Sequence, residues 1–474
     1  MRTCHQPQPS FADVELQAQG LALDEALQGI AAVLDQHADL VELVRQDLVR
    51  GLRNPATGRT GLTAEQVLRT FILQRVKNWD LRELRERTAD GYTLRIFTQF
   101  FSTPVPRHDA FQRAFGRLTA ATLRAINDSV VRWAVAEGLE DGKKLRGDTT
   151  VVETNIHFPT DSTLLWDGVR VLTRLVGKLQ AALPGVTPAF ANRTRGARRR
   201  MHEIQRLTPT QRQDHQVPKY RALIKLTTAV VQAARGVVAA AEAGPAATDP
   251  LAAVQLEALR KEISEYCDRT DRVLDQARRR VLLGETVPTE QKIFSIFQPH
   301  TDLIKRGKAQ RPVEFGHKVL LDESGHGLIT NYRVLDGNPT DDRHVEPSLQ
   351  RHGELFGGPP QVGAYDRGFY SPAALEACKR SGVAIECIPQ RGGHKTPARA
   401  AYEKSRAFRQ GQRFRAGIEG RISVLFRGRG MKRCLLHGRE RFEIFVGAAV
   451  LANNLLVLAE LLPRRARRRH LRAA

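Results

Sequence analysis

Residues Lys144 to Asn155 read Lys-Leu-Arg-Gly-Asp-Thr-Thr-Val-Val-Glu-Thr-Asn. Thr149 to Val152 are all β-branched, and a glycine-containing turn, Gly138 to Lys143, precedes them, so the pattern predicts a strand. Asp148 falls inside that strand rather than at its end. Burying a carboxylate there is unfavourable unless something pairs with it. Taken alone, such an Asp is most simply a hydrogen-bonded structural residue. Further along the chain come a second strand-borne Asp and a third acidic residue on a late basic helix. Together the three have the arrangement that a two-metal nuclease site needs.

The chain has 474 residues, enough for two to four domains and a large core. Its 74 Lys+Arg against 51 Asp+Glu give a net charge of +23. A positive field of that size favours a polyanionic partner, most simply nucleic acid. Clustered arginines, described below, argue against charge that is merely solvated. Five cysteines, Cys4, Cys267, Cys378, Cys387 and Cys434, include no C-x-x-C pair. That usage predicts a reduced, intracellular, cytoplasmic compartment. The N-terminal stretch lacks the apolar core of a signal peptide. The most apolar run, Gly447 to Leu462, contains Asn453, Asn454 and Glu460. It is too short and too polar to span a bilayer and reads as a buried helix.

Residues 1 to about 60 read as helical and carry no chemistry. Thr63-Ala-Glu-Gln66 is a capping box, followed by a helical stripe of Val67, Leu68, Phe71, Ile72 and Val76. Asp80-Leu-Arg-Glu83 repeats the capping logic, and a third helix follows Pro106 with Phe111, Phe115 and Leu118 on one face. Short helices, tight turns and arginines suit a helix-turn-helix-like DNA-binding module as well as a small bundle that only packs against its neighbour. A longer helix, Ala120 to Glu137, leads to the Asp148 strand. After it Asp161 is expected to cap a helix carrying Leu164, Leu165, Leu172, Leu175 and Leu179. Then comes the basic run Asn192-Arg-Thr-Arg-Gly-Ala-Arg-Arg-Arg200. Helical stretches at about 217–243 and 251–283 complete an insertion, expected to be hairpin-like with arginines at its tip. Arg193, Arg195, Arg198, Arg199 and Arg200 there suit phosphate contacts, or else a solvated loop.

Strand signals return at Phe315. Gly316 to Asp322 and Leu328 to Leu335 flank a glycine-rich turn, which is a hairpin pattern. Gly337-Asn-Pro339 ends it, and a helix is expected to follow to about Phe356. Val362-Gly-Ala-Tyr-Asp366-Arg-Gly-Phe-Tyr370 reads as a strand opening into a glycine turn, and Ser371-Pro372 starts a helix. Val383 to Ile388 is another short strand. From Pro397 to Arg427 the chain reads as one helix rich in Arg and Lys. The tail Arg464 to Arg472 is expected to be a disordered basic arm able to lie along DNA.

The order is thus strand with Asp148, hairpin, helix, strand with Asp366, helix, strand and basic helix with Glu419. Three carboxylates on such a mixed sheet suit two hard divalent cations, Mg²⁺ or Mn²⁺. Two such ions clamp the attacking and leaving oxygens of an in-line phosphoryl displacement. At this point the sequence resembles a DDE transposase of bacterial insertion sequences, closest to the ISNCY-like group. The stretches that carry the likeness begin with Arg146, Asp148, Glu153, Asn155 and Asp161. They continue with Phe315-Gly-His-Lys318, Gly337-Asn-Pro339, Ala364 to Tyr370, and Arg415-Ala-Gly-Ile-Glu-Gly-Arg-Ile-Ser423. With the segments around them the resemblance covers roughly residues 60 to 460.

The resemblance implies Asp148, Asp366 and Glu419 as the catalytic, metal-binding acids, and an α/β fold with a ribonuclease H-like mixed-sheet core. With the pattern above it sets a domain plan. Residues 1–137 form an N-terminal helical, helix-turn-helix-like DNA-binding region. Residues 138–160 and 286–462 form the core, 161–285 a large helical insertion, and 463–474 a basic tail. The implied function is binding of terminal inverted repeats, metal-dependent strand cleavage and transfer to target DNA, by a homodimer or larger assembly. Arg415, Arg421, Arg427, Arg198, Arg199 and Arg200 are the expected DNA contacts. Relatives carry Tyr, two residues, Arg, three residues, Glu, six residues, Lys around the third acid. Here Arg415 and Glu419 fit, but Gln412 stands for the Tyr and Phe426 for the Lys, with Arg427 one residue later. Two rival readings follow: an inactive, repurposed DNA-binding copy, and a plain Mg²⁺-dependent nuclease. Glu153 and Asn155 are further candidates to support Asp148. Asp341, Asp342 and His344 suit either a supporting or a helix-capping role. His157, His317 and His394 read as structural or surface residues.

Overall fold

The computed structural model describes residues 3–4, 10–18, 23–57, 61–244, 249–305 and 313–473. Helices come first: α1 (Phe11–Ala18), α2 (Glu25–Leu34), α3 (Ala38–Val49), α4 (Ala64–Lys77), α5 (Leu81–Asp90), α6 (Tyr92–Phe97), α7 (His108–Phe115) and α8 (Ala120–Ala136). The expected capping box forms at α4, where Thr63 and Gln66 exchange side chain and backbone N–H at 3.1 Å each way. Asp80 caps α5 by accepting from the N–H groups of Arg82 and Glu83. Next are β1 (Lys144–Thr154) and four helices, α9 (Asp161–Ala182), α10 (Thr194–Gln205), α11 (Pro209–Ala243) and α12 (Pro250–Ala277). The remaining elements are β2 (Asp302–Lys305), β3 (Val313–Ser324), β4 (Ile329–Val334), α13 (Val345–Phe356), β5 (Val362–Ala364), α14 (Pro372–Arg380), β6 (Ile385–Cys387), α15 (Pro397–Lys404), α16 (Arg406–Gly428), β7 (Arg433–Cys434) and α17 (Arg439–Ala473).

The fold is α/β with a mixed sheet ordered β2-β3-β1-β5-β6; β4 pairs with β3, and β7 with β1. β1, β5 and β6 run parallel, while β3 and β4 form the expected antiparallel hairpin. The chain divides into two compact units, residues 1–153 with 317–474, and residues 154–316. The second unit is therefore wider than the expected insertion of 161–285. It takes in the segment up to Gly316, including β2, because Ile293 and Ile296 belong to its hydrophobic core with residues of α9 to α12. Of the arginines expected at a hairpin tip, Arg195, Arg198, Arg199 and Arg200 lie on a regular helix, α10, whose inner face is Ala197, Met201 and Ile204, and Arg193 precedes it. The cap of α9 is Thr160, not Asp161. Asp161 is buried one position on, accepting from Gln276 Nε2 at 2.6 Å and from Arg280 Nη1 at 2.9 Å.

In the first unit the N-terminal helices do not form a core of their own. Leu27, Ile30, Val44, Leu68 and Phe111 share one buried cluster with Leu451, Leu455 and Leu458 of α17. Gly29 of α2 rests on Ala459, where an added Cβ would stand 2.4 Å from the alanine Cβ. The apolar run 447–462 is thus the buried helix expected. Arg439–Arg465 and Pro209–Ala243 are each long and apolar enough to cross a bilayer by composition. Asn454 within the first of them is buried, and donates at 2.8 Å to Asn127 and to the Ile329 carbonyl. Two further expectations change. The basic stretch from Pro397 is two helices, broken at Ser405, whose hydroxyl caps α16 through Phe408 N–H. The basic tail continues α17 as helix to Ala473 instead of leaving it as a disordered arm.

Candidate acidic site

The site follows from strand register. β1 and β5 are parallel, with Lys144 opposite Val362 and Arg146 opposite Ala364. Asp148 and Asp366 each lie two residues past the last of these pairs, so the same register carries both acids side by side to the carboxyl end of β5. Asp148 remains within β1, and its Oδ1 accepts from Thr149 N–H at 2.7 Å. Asp366 caps a short turn, Arg367–Phe369, by accepting from Gly368 N–H at 2.7 Å.

The third acid comes from α16, which lies close against β6 and against Arg146 of β1 because two of its glycines permit it. A Cβ on Gly411 would fall 2.1 Å from Cys387 Sγ, and one on Gly417 would fall 2.2 Å from Arg146 Nη1. Gln412, in the position where relatives have Tyr, ties the same helix down. Its Nε2 donates to the carbonyls of Tyr365 at 3.2 Å and Cys387 at 2.6 Å. The helix thereby presents Arg415 to all three acids. Arg415 Nη2 lies 3.7 Å from Asp148 Oδ2 and 3.6 Å from Asp366 Oδ2, while Nη1 bonds Glu419 Oε1 at 2.9 Å. Asp148 is nearly buried, and Glu419 is the exposed member with 67% of its side chain accessible. Burial, then the neighbouring Asp366 carboxylate, push the Asp148 carboxyl up to about 6, with Arg415 and the Thr149 N–H opposing them.

A further carboxylate stands beside them. Asp341 Oδ1 accepts from Thr149 Oγ1 at 2.9 Å and pairs with Lys318 Nζ at 2.7 Å. Its side chain is therefore engaged with β1 and β3 and does not cap α13. In the sequence Asp341 is one of three polar residues with the same two possible roles, since nothing in the local pattern says which way it faces. Asp342 accepts from Thr340 and Ser371, and His344 is buried. Glu153 pairs with Arg433 at 2.7 Å, away from Asp148, and Asn155 is exposed past the end of β1 in the other unit. His157 lies 3.4 Å from Asp167, His317 Nδ1 is 2.9 Å from Arg439 Nη1, and His394 is exposed.

The expected DNA-contacting arginines divide into two sets. Arg421 is held internally, with Nε on Glu323 at 2.9 Å and Nη1 on Asn453 at 3.1 Å. Glu323 is fully buried and also takes Arg146 at 2.7 Å. Arg427 is exposed in the last turn of α16, while Phe426 packs against the cluster of Leu425, Met431 and Phe442. On α10, Arg198 is exposed, Arg199 is exposed beside Glu203 at 3.8 Å, and Arg200 is half-buried.

Among the described residues, Glu140, Asp141 and His326 form the group of metal-type ligands whose ligand atoms all lie within 4.8 Å of one another, and Asp148, Asp366 and Glu419 do not form such a group. Glu140 there already accepts from Asp141 N–H, Gly142 N–H, His326 N–H and Nδ1, and Ser324 Oγ. Its lone pairs hold the β3–β4 turn in place. No model of a protein family matches the chain, and no curated protein or solved structure matches it.

Proposed function

We propose that this chain is a DDE-type transposase that cuts and joins DNA at the ends of its own element. The observation that carries the reading is the sharing of one guanidinium, that of Arg415, by Asp148, Asp366 and Glu419. The Asp366 carboxylate disfavours a charged Asp148, and a cation beside the pair offsets that repulsion. Arg415 supplies that charge from a flexible side chain, which a doubly charged ion can displace. The donors are all hard oxygens, and the burial-raised carboxyl of Asp148 gains from a strong positive partner. The set fits Mg²⁺ or Mn²⁺, held by Asp148, Asp366 and Glu419, with two ions as the expected complement. When bound, such ions supply Lewis-acid stabilisation of the attacking and leaving phosphate oxygens.

The chain's own residues supply the rest. Gln412 and the two helix glycines fix where Glu419 stands. Arg415, once released from the acids, is placed to contact a phosphate, as are the exposed Arg427, Arg198 and Arg199. The net charge of +23 supports a DNA partner. The ribonuclease H-like description of the sheet, the helix-turn-helix role of α4 to α7 and a homodimeric assembly belong to the same proposal.

The test uses the full chain and a DNA fragment spanning the sequence that flanks its reading frame. Nicking is expected with Mg²⁺ or Mn²⁺ and is expected to vanish with chelator or in Asp148→Asn, while gel-shift binding survives. Metal-independent cleavage, or an active Asp148→Asn, overturns the reading. Joining of precut ends to a plasmid separates a transposase from a plain nuclease.

A further inference from the structure

Beyond the three acids, we propose that Asp341, anchored by Lys318, is a positioning residue of this site. It would fix Thr149 and so set how tightly the neighbouring acids take a divalent cation. The inference rests on the reading of Asp148, Asp366 and Glu419 as metal-binding acids.

The contacts form a continuous chain. Lys318 on β3 donates from Nζ to the Pro339 carbonyl at 2.8 Å and pairs with Asp341 Oδ1 at 2.7 Å. That same oxygen accepts from Thr149 Oγ1 at 2.9 Å. Thr149 in turn donates its backbone N–H to Asp148 Oδ1 at 2.7 Å. Asp341 thus grips by its side chain the residue that grips Asp148 by its backbone. Its second oxygen faces the site. The point that a Gly368 Cβ would occupy lies 3.0 Å from Asp341 Oδ2 and 2.9 Å from Asp366 Oδ1. A side chain at Gly368 would crowd both carboxylates.

A mere structural ion pair explains this arrangement poorly. Lys318 and Asp341 are both mostly buried, with side-chain exposures of 11% and 22%. Taking two charges out of water for stability alone is a weak bargain compared with apolar packing. Adding a fourth carboxylate beside three others makes it weaker still. An orienting role accounts for both features, since groups behind metal ligands fix ligand direction and their loss costs roughly 10–100-fold in metal affinity.

The experiment is a Mn²⁺ titration of the full chain followed by electron paramagnetic resonance, with circular dichroism confirming the fold of each variant. Asp341→Ala and Thr149→Val are expected to weaken Mn²⁺ binding by about 10-fold or more. Lys318→Met discriminates further. Bare electrostatics predicts tighter Mn²⁺ binding when a cation near the acids is removed, whereas loss of the anchor on Asp341 predicts weaker binding. Weaker binding supports the inference, and tighter binding overturns it. Should Asp341→Ala fail to fold, the isosteric Asp341→Asn replaces it, and wild-type Mn²⁺ affinity in that variant overturns the inference. Asp148→Asn keeps the two readings apart. If it loses Mn²⁺ while Asp341→Ala and Thr149→Val retain it, the positioning role is wrong and the site stands. If Asp148→Asn binds as the wild type does, the site itself is wrong.

Discussion

Asp322 illustrates how a single buried carboxylate sets a pH dependence that no surface charge would. It is 1% exposed and bonded by Asn331 Nδ2 at 2.8 Å, yet burial pushes its carboxyl up to about 6. The fold favours the protonated form, so the stability it contributes is fully present below about pH 4 and is lost as pH rises through about 6. Asp322→Asn keeps an oxygen for Asn331 and removes the charge. It is expected to raise stability at pH 8 by about 2 kcal/mol relative to wild type, with the gain shrinking towards pH 4. Chemical denaturation across that range checks it, and a difference that does not change with pH refutes the assignment. Phe426 carries a different residue-level lesson. A lysine there would lose packing against Leu425 and Phe442, so Phe426→Lys is a stability change before it is a functional one.

Among the elements, α16 decides the site, and its glycines are not equivalent. A methyl group at Gly411 meets Cys387, a short buried side chain on β6, whereas nothing lies within 4 Å of a Cβ at Gly420. Gly411→Ala is expected to destabilise by about 1–3 kcal/mol through overpacking. On the proposed function it should also impair cleavage, because it lifts Arg415 and Glu419 from the sheet. Gly420→Ala is expected to stabilise by about 0.5–1 kcal/mol, as glycine is a poor helix former. Equal effects of the two on urea midpoints would mean that α16 does not sit closely on β6. On α10 the exposed arginines lend themselves to a salt titration of DNA binding. Joint replacement of Arg195, Arg198 and Arg199 by Ala should lower the log–log salt slope by about 0.9 per lost phosphate contact. An unchanged slope returns α10 to a solvated face.

At the scale of the whole molecule, the first unit is closed by its two ends. α2 and α3 bury Leu27, Ile30, Val33, Leu34, Leu40, Val41, Val44 and Leu48 in the cluster that α17 completes. Eight aliphatic side chains at about 1.5–3 kcal/mol each match or exceed the whole stability of an ordinary domain, about 5–15 kcal/mol. A chain lacking residues 1–60 is therefore expected to be insoluble or unfolded. A well-folded, cooperatively melting truncation would show that the N-terminal helices are an independent module after all.

What the sequence determined by itself is the local part of this protein. β-Branched runs and glycine turns marked β1 and the β3–β4 hairpin, and capping residues marked α4, α5 and α14, because these signals act over a few residues. Asp148, Asp366 and Glu419 stand out in the sequence as candidates through the likeness of their order and spacing to a known family. Tertiary structure decided the rest. It alone aligned Asp148 with Asp366 through strand register, turned Arg415 onto three carboxylates, and selected Asp341 from a run of polar residues. It also withdrew Arg421 into a buried pair with Glu323 and merged the N-terminal helices with α17. Each of these depends on contacts between residues tens to hundreds of positions apart, and the direction of a side chain across such a gap is set by packing, which no local pattern encodes.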